Sequence, residues 1–255
     1  MKKTIIALMA MAGVASAATL TEIATMEELA TASSDTGTSV TLEAGYDKTT
    51  YSFTGAGSIL QISLPEVSNY ITGGTGYLTI AAWINPTATG ENSIFSIGGQ
   101  NTGFKFALKE GGLQMTTKGI ADTNVTAANL GFTSIPTGDW TLVALSVNLT
   151  QNGDSRFYMS GTDGKCATRN LGAWNEVTGD DLKLAIGSGN AGSVRDGFKG
   201  MISNLTLFSS DSLATNSEIA ALMGTAPTLT IPEPTTATLS LLALAGLAAR
   251  RRRRR

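Results

Sequence analysis

The clearest strand pattern in the sequence is the run Tyr77-Leu78-Thr79-Ile80-Ala81-Ala82-Trp83-Ile84-Asn85-Pro86. Alternate residues of a strand point to opposite faces of a sheet, so the even-numbered residues of 78–84 share one face and the odd-numbered residues of 77–83 share the other. Both faces are largely apolar, which predicts a central strand with Trp83 in the core. Asn85-Pro86 ends the run.

The runs around this stretch repeat the alternation at short spacing. Phe104–Leu108 and Leu113–Thr116 predict a hairpin that turns at Gly111-Gly112. The run 140–147 predicts another strand that is apolar on both faces, with Trp140 in the core. Further runs follow at 156–160, 182–186 and 198–208, separated by clusters of Gly, Asn and Asp. This spacing is typical of an antiparallel β-sandwich and not of βαβ units.

One helix is expected near the end of this region. Asn216–Met223 has Asn216 or Ser217 as its cap, apolar residues three positions apart on one side, and Gly224 as its stop. The predicted fold class is therefore all-β, an antiparallel sandwich with a short C-terminal helix.

The first 17 residues have the composition of an export signal. Two lysines precede an apolar run, which leads into Ala15 and Ala17 at the spacing that a signal peptidase accepts. The alternative is a membrane anchor, but the apolar run is shorter than the roughly 20 residues that span a bilayer. We therefore expect cleavage after Ala17.

The last residues combine three features in a fixed order. Pro232, Glu233 and Pro234 precede an apolar stretch over 235–249, which spans the hydrocarbon only marginally. Six arginines close the chain: Arg250, Arg251, Arg252, Arg253, Arg254 and Arg255. Arginines beside an apolar helix favour the cytoplasmic side, so the body is expected outside. The alternative, a nucleic-acid-binding tail, does not explain the adjoining apolar helix.

This arrangement resembles the PEP-CTERM sorting signal of Gram-negative bacteria over residues 231–255. The resemblance implies transient association with the inner membrane, processing near the Pro-Glu-Pro motif by an exosortase-type enzyme, and delivery to the cell surface or extracellular matrix. The sequence thus predicts a signal peptide at 1–17, a lead-in segment at 18–39, a sandwich domain at 40–224, a linker at 225–231 and a sorting tail at 232–255.

The body between the two ends is acidic. Of the 18 basic residues, two lie in the signal and six in the arginine block, whereas Glu233 alone of the 20 acidic residues lies in the tail, so the body has a net charge near −9. This charge argues against binding to nucleic acid, which needs clustered Lys and Arg. The single cysteine, Cys166, allows no intramolecular disulfide. It is a small buried hydrophobe, a reactive thiol or a thiol that pairs between chains.

Residues 50–223 resemble the laminin-G-like, concanavalin A-like jelly-roll family. Four blocks carry the resemblance: 53–57 with Leu64-Pro65, 78–86, 140–144 with 157–161, and 198–208 with 213–222. Thr141 and Leu142 stand where the family has histidines, and Ser203 stands where it has an aspartate. The loss of this aspartate puts a local hydrogen bond in doubt more than an activity, because the residue is more often structural than catalytic in the family.

The sequence offers no catalytic constellation. Because it contains no histidine, mechanisms based on Ser-His-Asp or Cys-His are excluded. Glycoside hydrolysis needs two carboxylates across a cleft, which the glucanases of this fold carry as Glu-x-Asp-x-x-Glu on one strand, and no such spacing occurs. We therefore predict that the protein is not an enzyme.

Two ligand hypotheses remain. Laminin-G-like domains often hold calcium at the sandwich rim, and the oxygen donors here are Asp180, Asp181, Asn190 and Asp196 around a Gly-rich loop; the alternative is that these residues only form turns. Trp174 and Asn175, in a polar segment, are candidates for stacking on and hydrogen-bonding to a sugar, unless Trp174 packs under its own loop.

Three functions follow from these observations. The first is a non-catalytic adhesion or recognition module at the cell surface that binds polysaccharide or a surface protein. The second is a structural matrix component without a specific ligand, and the third is a glycosidase-related remnant.

Overall fold

The computed structural model describes residues 18–35, 40–55, 57–98, 103–117, 121–150, 153–160, 162–169, 183–190 and 195–230. These residues form two antiparallel sheets packed face to face, with three short α-helices and one 3-10 helix at Ala127–Leu130. The predicted all-β sandwich is therefore confirmed.

Most of the described elements are strands, and only a few short helices lie between them. The strands are β1 (Thr21–Thr25), β2 (Ser33–Asp35), β3 (Val40–Leu42), β4 (Thr50–Thr54), β5 (Leu60–Ile62), β6 (Tyr77–Pro86), β7 (Asn92–Ile97), β8 (Phe104–Lys109), β9 (Gly112–Thr117), β10 (Ala121–Val125), β11 (Thr141–Asn148), β12 (Gly153–Met159), β13 (Thr162–Arg169), β14 (Leu184–Ile186) and β15 (Lys199–Ser210). The helices are α1 (Met26–Thr31), α2 (Pro65–Thr72) and α3 (Asn216–Met223).

The strands form an eight-stranded and a seven-stranded sheet. The larger sheet has the order β13-β12-β11-β6-β15-β4-β3, and β1 pairs with β15 beyond the end of β4. The smaller sheet has the order β10-β9-β8-β7-β14-β5-β2. The inner faces of both sheets share one hydrophobic core, in which the rings of Phe106 in β8 and Phe157 in β12 lie 6.5 Å apart across the sandwich.

The strand β6 is central, as predicted. β6 lies between β11 and β15, and Ile80 and Ile84 are fully buried in the core between the sheets. On the opposite face Ala81 is also fully buried, because α3 packs over that part of the larger sheet. The two-sided burial of this strand therefore has two sources, the second sheet and a helix.

The predicted hairpin is confirmed as β8 and β9, with its turn one residue earlier than expected. Glu110 and Gly111 are the turn residues, with φ of 50° and 75°, and Lys109 pairs with Gly112. Two consecutive positive φ values match the right-handed twist of the strands. Gly112 is instead required for packing, since a Cβ there would lie 2.2 Å from the carbonyl oxygen of Val125.

The segment expected to be a lead-in belongs to the sandwich. Within residues 18–35, β1 pairs with β15, β2 pairs with β5, and Met26 and Leu29 of α1 are buried in the core. Thr25 caps α1 by accepting a hydrogen bond from the backbone N–H of Glu28. The folded domain thus includes residues before position 40, the boundary that the sequence suggested.

The helices differ in how well the sequence indicated them. α3 has the predicted bounds, with Thr215 and not Asn216 or Ser217 as its cap: the Thr215 and Glu218 side chains satisfy each other's backbone N–H groups. The sequence pattern did not predict α2, which begins at Pro65. Pro65 occupies the first turn of α2, where its missing N–H has no cost.

The segment expected to be a linker is held against the domain. Leu229 forms an isolated antiparallel bridge with Tyr46, and the Thr228 N–H donates to the Asp47 carboxylate over 2.7 Å. Residues 225–230 therefore lie beside the loop that precedes β4.

Several predicted segments lie outside the described residues. These are the signal peptide with Ala15 and Ala17, the motif Pro232, Glu233 and Pro234, the apolar stretch 235–249 and the arginines from Arg250 to Arg255. Within the part of the chain that the structure describes, no helix has the length and apolar character to cross a membrane.

Candidate functional site

The residues predicted to bind calcium or sugar are described only in part. Trp174, Asn175, Asp180 and Asp181 lie outside the described residues. The other two predicted ligands, Asn190 and Asp196, belong to the loop between β14 and β15. Across the described ranges, no three His, Cys, Asp or Glu side chains are grouped closely enough to hold a metal ion. The calcium site stays a prediction.

The Asp196 carboxylate is engaged by cations of the protein itself. Its Oδ2 lies 3.2 Å from Lys105 Nζ and 3.6 Å from Arg195 Nε. Lys105 Nζ also pairs with Glu91, whose other oxygen lies 3.5 Å from Lys109 Nζ. Acidic and basic side chains therefore neutralise one another on the outer side of the seven-stranded sheet.

Glu91 stays ionised in this cluster. Burial by itself would raise the pKa of Glu91, but the hydrogen bond and charge of Lys105, with the contribution of Lys109, outweigh it and the pKa is lowered. A general acid for glycoside cleavage needs a raised pKa. The shift is thus opposite in sign to the one that acid catalysis would need.

The lowered pKa of Glu91 predicts a pH-dependent contribution to stability. A carboxyl group with a lowered folded-state pKa stabilises the fold above its unfolded pKa of about 4.3, and the contribution disappears as the pH falls through the folded value. We expect Glu91→Gln to lower the free energy of unfolding at pH 7 by at most about 1 kcal/mol, because the group is only partly buried. In urea unfolding curves the difference should shrink as the pH falls below about 4.3 and through the folded-state pKa.

Glu110→Gln is the matched control, since Glu110 is an exposed turn residue on the neighbouring hairpin. A Glu91→Gln difference that stayed the same from pH 7 to pH 3 would contradict this assignment.

The two tryptophans that we expected in the core lie instead on the outer face of the larger sheet. Leu142 pairs with Trp83 across β11 and β6, and both belong to the outer face that α3 partly covers. Trp140, immediately before β11, lies beside this face, because its ring meets Tyr46, whose hydroxyl reaches Met201 of β15. Both tryptophans are only partly buried. The sequence prediction was wrong because apolar character on both faces of a strand does not reveal how much of the outer face is covered.

Four further contacts define the geometry of this region. The Tyr46 ring meets Trp140 edge-on at 5.8 Å between centroids and 81° between planes. The Tyr46 hydroxyl approaches Met201 Sδ at 3.7 Å. Trp83 Nε1 donates to the Met223 carbonyl over 3.2 Å, and Lys48 Nζ lies 5.6 Å from the centre of the Trp83 ring. We call this set the aromatic surface: Tyr46, Lys48, Trp83, Trp140 and Met201.

The aromatic surface is held by contacts with the end of the domain. Lys48 Nζ donates to the carbonyls of Met223, at 3.1 Å, and Thr225. Burial lowers the pKa of Lys48, and the charge of Asp47 opposes this effect. The hydrogen bond from the Thr228 N–H lowers the pKa of Asp47, so this carboxylate is also ionised. The loop that carries Tyr46 is therefore fixed against residues 223–230.

The residues of the aromatic surface are all partly exposed to solvent. A cavity elsewhere, between Pro86, Leu108 and Ile135, has a volume of about 10 Å³, the space of roughly one water molecule. It cannot hold a sugar ring. Partly exposed aromatic rings beside a few polar groups are the usual lining of a small-molecule site, and here they are laid out on a sheet face.

The comparison with known proteins supports the fold. A family model, the laminin-G model described as the concanavalin A-like lectin/glucanases superfamily, matches residues 55–220, more than half of the chain. No curated protein matches the chain in sequence.

Three solved structures illustrate the structural likeness. Domain 4 of AbnA, a GH43 extracellular arabinanase from Geobacillus stearothermophilus in complex with arabinotriose, is 20% identical with a TM-score of 0.52, covering 74% of this chain and 82% of that chain. The Ruminococcus gnavus IT-sialidase CBM40 bound to α2,3 sialyllactose is 18% identical with a TM-score of 0.51, covering 70% and 98%. The binding domain of botulinum neurotoxin serotype D is 16% identical with a TM-score of 0.51, covering 73% and 45%.

At these identities the likeness concerns the fold, whereas the match of the family model covers most of the sandwich sequence. The chain therefore belongs to the concanavalin A-like lectin/glucanases superfamily.

Proposed function

We propose that this domain is a non-catalytic carbohydrate-binding module of an exported surface protein, and that the aromatic surface binds a neutral polysaccharide. The observation that carries the proposal is the partly exposed edge-on pair of Tyr46 and Trp140, on the same sheet face as Trp83 and Lys48. The apolar faces of sugar rings pack on aromatic rings, and neighbouring polar groups orient the hydroxyls.

The charges support a neutral ligand. Without the signal peptide and the sorting tail, the body has a net charge near −9, so it would repel an acidic polysaccharide. Lys48 is the cation of the aromatic surface, and its ammonium group is already bound to two carbonyls. Two of the similar domains are described with bound oligosaccharides, the arabinanase domain with neutral arabinotriose and the sialidase domain with acidic sialyllactose. They support a sugar ligand, and the negative charge of this body favours the neutral class.

Two carboxyl groups with lowered pKa values favour sugar binding over sugar hydrolysis. Asp47, beside the aromatic surface, accepts a backbone N–H and has a lowered pKa. Glu91 also has a lowered pKa, so neither group holds a proton at neutral pH to give to a leaving group. The export signal, the sorting tail and processing by an exosortase-type enzyme, as read from the sequence, agree with a module displayed at the cell surface.

The test is a binding assay on the body, residues 18–231, against a panel of neutral polysaccharides. We expect saturable binding to at least one of them, and we expect Trp140→Ala to weaken it by about tenfold or more, because a central aromatic contact often contributes about 2 kcal/mol or more. Tyr77→Ala is the matched control, since Tyr77 is a partly exposed aromatic residue at the opposite end of β6 on the same sheet face.

The outcomes separate the candidate functions. Saturable binding that Trp140→Ala leaves unchanged would show that the binding site lies outside the aromatic surface. No saturable binding to any polysaccharide would overturn the proposal and favour a structural component of the matrix. Release of reducing sugar would favour a glycosidase.

A further inference from the structure

The backbone nitrogen of Ala18 contacts a buried carboxylate. It donates to Glu218 Oε1 over 2.9 Å, and Ala18 and Glu218 are only 7% and 6% exposed. The second oxygen of Glu218 accepts the Thr215 N–H over 2.7 Å. The side chain of Glu218 is thus fixed by α3 and directed at the first residues of the domain.

The surroundings of this contact are apolar. Ala18 and Leu20 pack with Phe208, Ile219 and Met223 between α3 and the outer face of the larger sheet. A buried carboxylate in such surroundings needs a cation or several hydrogen-bond donors. Among the described residues, no Lys or Arg forms an ion pair with Glu218.

The sequence independently places the signal-peptidase bond immediately before this nitrogen. Cleavage after Ala17 hydrolyses the Ala17–Ala18 peptide bond with one water molecule, which leaves the carboxylate on the signal peptide and an amine on Ala18. That amine is protonated at neutral pH, because an unperturbed α-amino group titrates at about 8. One amide N–H thereby becomes a cation with three N–H donors.

We propose that signal-peptide cleavage creates a buried ion pair between the new N-terminal ammonium of Ala18 and Glu218, and that this pair stabilises the mature fold. In the precursor the same nitrogen is an uncharged amide, and Glu218 has a hydrogen bond without a countercharge. Breaking a buried pair is strongly destabilising, because the remaining charge is uncompensated. Glu218 is therefore the acceptor of the processed N terminus.

Two other titratable groups face the N terminus. Asp211, between β15 and α3, accepts the Thr19 N–H over 3.1 Å, and this bond lowers its pKa. The Tyr158 hydroxyl of β12 donates to the carbonyl of Ala214 within the same apolar cluster. Asp211 contributes to the local negative potential, but its hydrogen bond is with Thr19 and not with Ala18.

The test compares two chains that differ by one residue. One chain runs from Ala18 to the natural C terminus, and the other keeps Ala17, so that the Ala18 nitrogen is an amide. At pH 6 we expect the chain that starts at Ala18 to melt about 5 to 10 °C higher, the size of shift that loss of a buried pair gives in a domain of this length. The gap should close as the pH rises above about 8 and the amine deprotonates.

Glu218→Gln and Asp211→Asn complete the experiment. The amide that replaces the Glu218 carboxylate keeps one acceptor oxygen but carries no charge, so Glu218→Gln should abolish the gap, whereas Asp211→Asn should leave it in place. Mass spectrometry of the exported protein should give Ala18 as the first residue. Equal melting temperatures of the two chains, a gap that persists in Glu218→Gln, or a mature chain that starts elsewhere would each overturn the proposal.

Discussion

Gly200→Ala is expected to cost the domain about 3 to 5 kcal/mol of its free energy of unfolding, by adding backbone strain to a steric clash. Gly200 in β15 has a φ of 126°, a conformation that residues with a Cβ rarely adopt. A Cβ there would lie 2.2 Å from the Asn85 carbonyl oxygen and 2.8 Å from Pro86 Cα. Both are backbone atoms of the central strand β6, so neither can move aside without disturbing the sheet.

The urea midpoint of unfolding measures this loss. Gly90→Ala is the matched control, because Gly90 has no left-handed φ and no atom lies within 4 Å of its added Cβ. We expect the control to stay within about 0.5 kcal/mol of the unchanged protein. A Gly200→Ala midpoint equal to that of the control would show that β15 and β6 are not packed this closely.

Phe157→Ala is expected to cost about 3 to 5 kcal/mol, the usual effect of removing a buried phenylalanine ring. Phe157 is fully buried and meets Phe106 of the other sheet at 6.5 Å between ring centroids. The loss combines the transfer of the ring with the cavity that remains between the sheets.

A double-mutant cycle tests whether these two rings join the sheets. Phe106→Ala together with Phe157→Ala should cost less than the sum of the single changes, because the two deletions open a shared cavity. Phe157→Leu, which keeps most of the volume, should cost less than Phe157→Ala. Strict additivity would indicate that the two rings do not interact.

The sequence indicated the parts of the fold that depend on local pattern. Alternation predicted β6, β8 and β9, and the apolar spacing with Gly224 predicted α3. β1 was missed because its partner residues lie far away in sequence, with Thr21 opposite Ser209, and its own residues are mostly half-buried. α2 was missed because an eight-residue helix gives little periodicity and Pro65 also suits an extended chain.

The candidate site was less predictable than the fold. Trp83 and Trp140 stood in strongly apolar runs, and only the position of α3 shows that the outer face around them is left partly open. Tyr46 gave no signal, since its contact is with Trp140, a residue nearly a hundred positions later in the sequence. The predictions for Trp174, Asn175, Asp180 and Asp181 stay open, because these residues lie outside the described ranges.

The position of β15 has a consequence for the order of folding. β15 pairs with β1, β4 and β6, all of which precede it by more than a hundred positions. Chains dominated by such non-local contacts have a high contact order and fold slowly, because the entropy of closing long loops is lost before the pairings form. The larger sheet therefore cannot be completed until almost the whole domain has been synthesised. A nascent chain that ends before β15 would leave β4 and β6 without their shared neighbour.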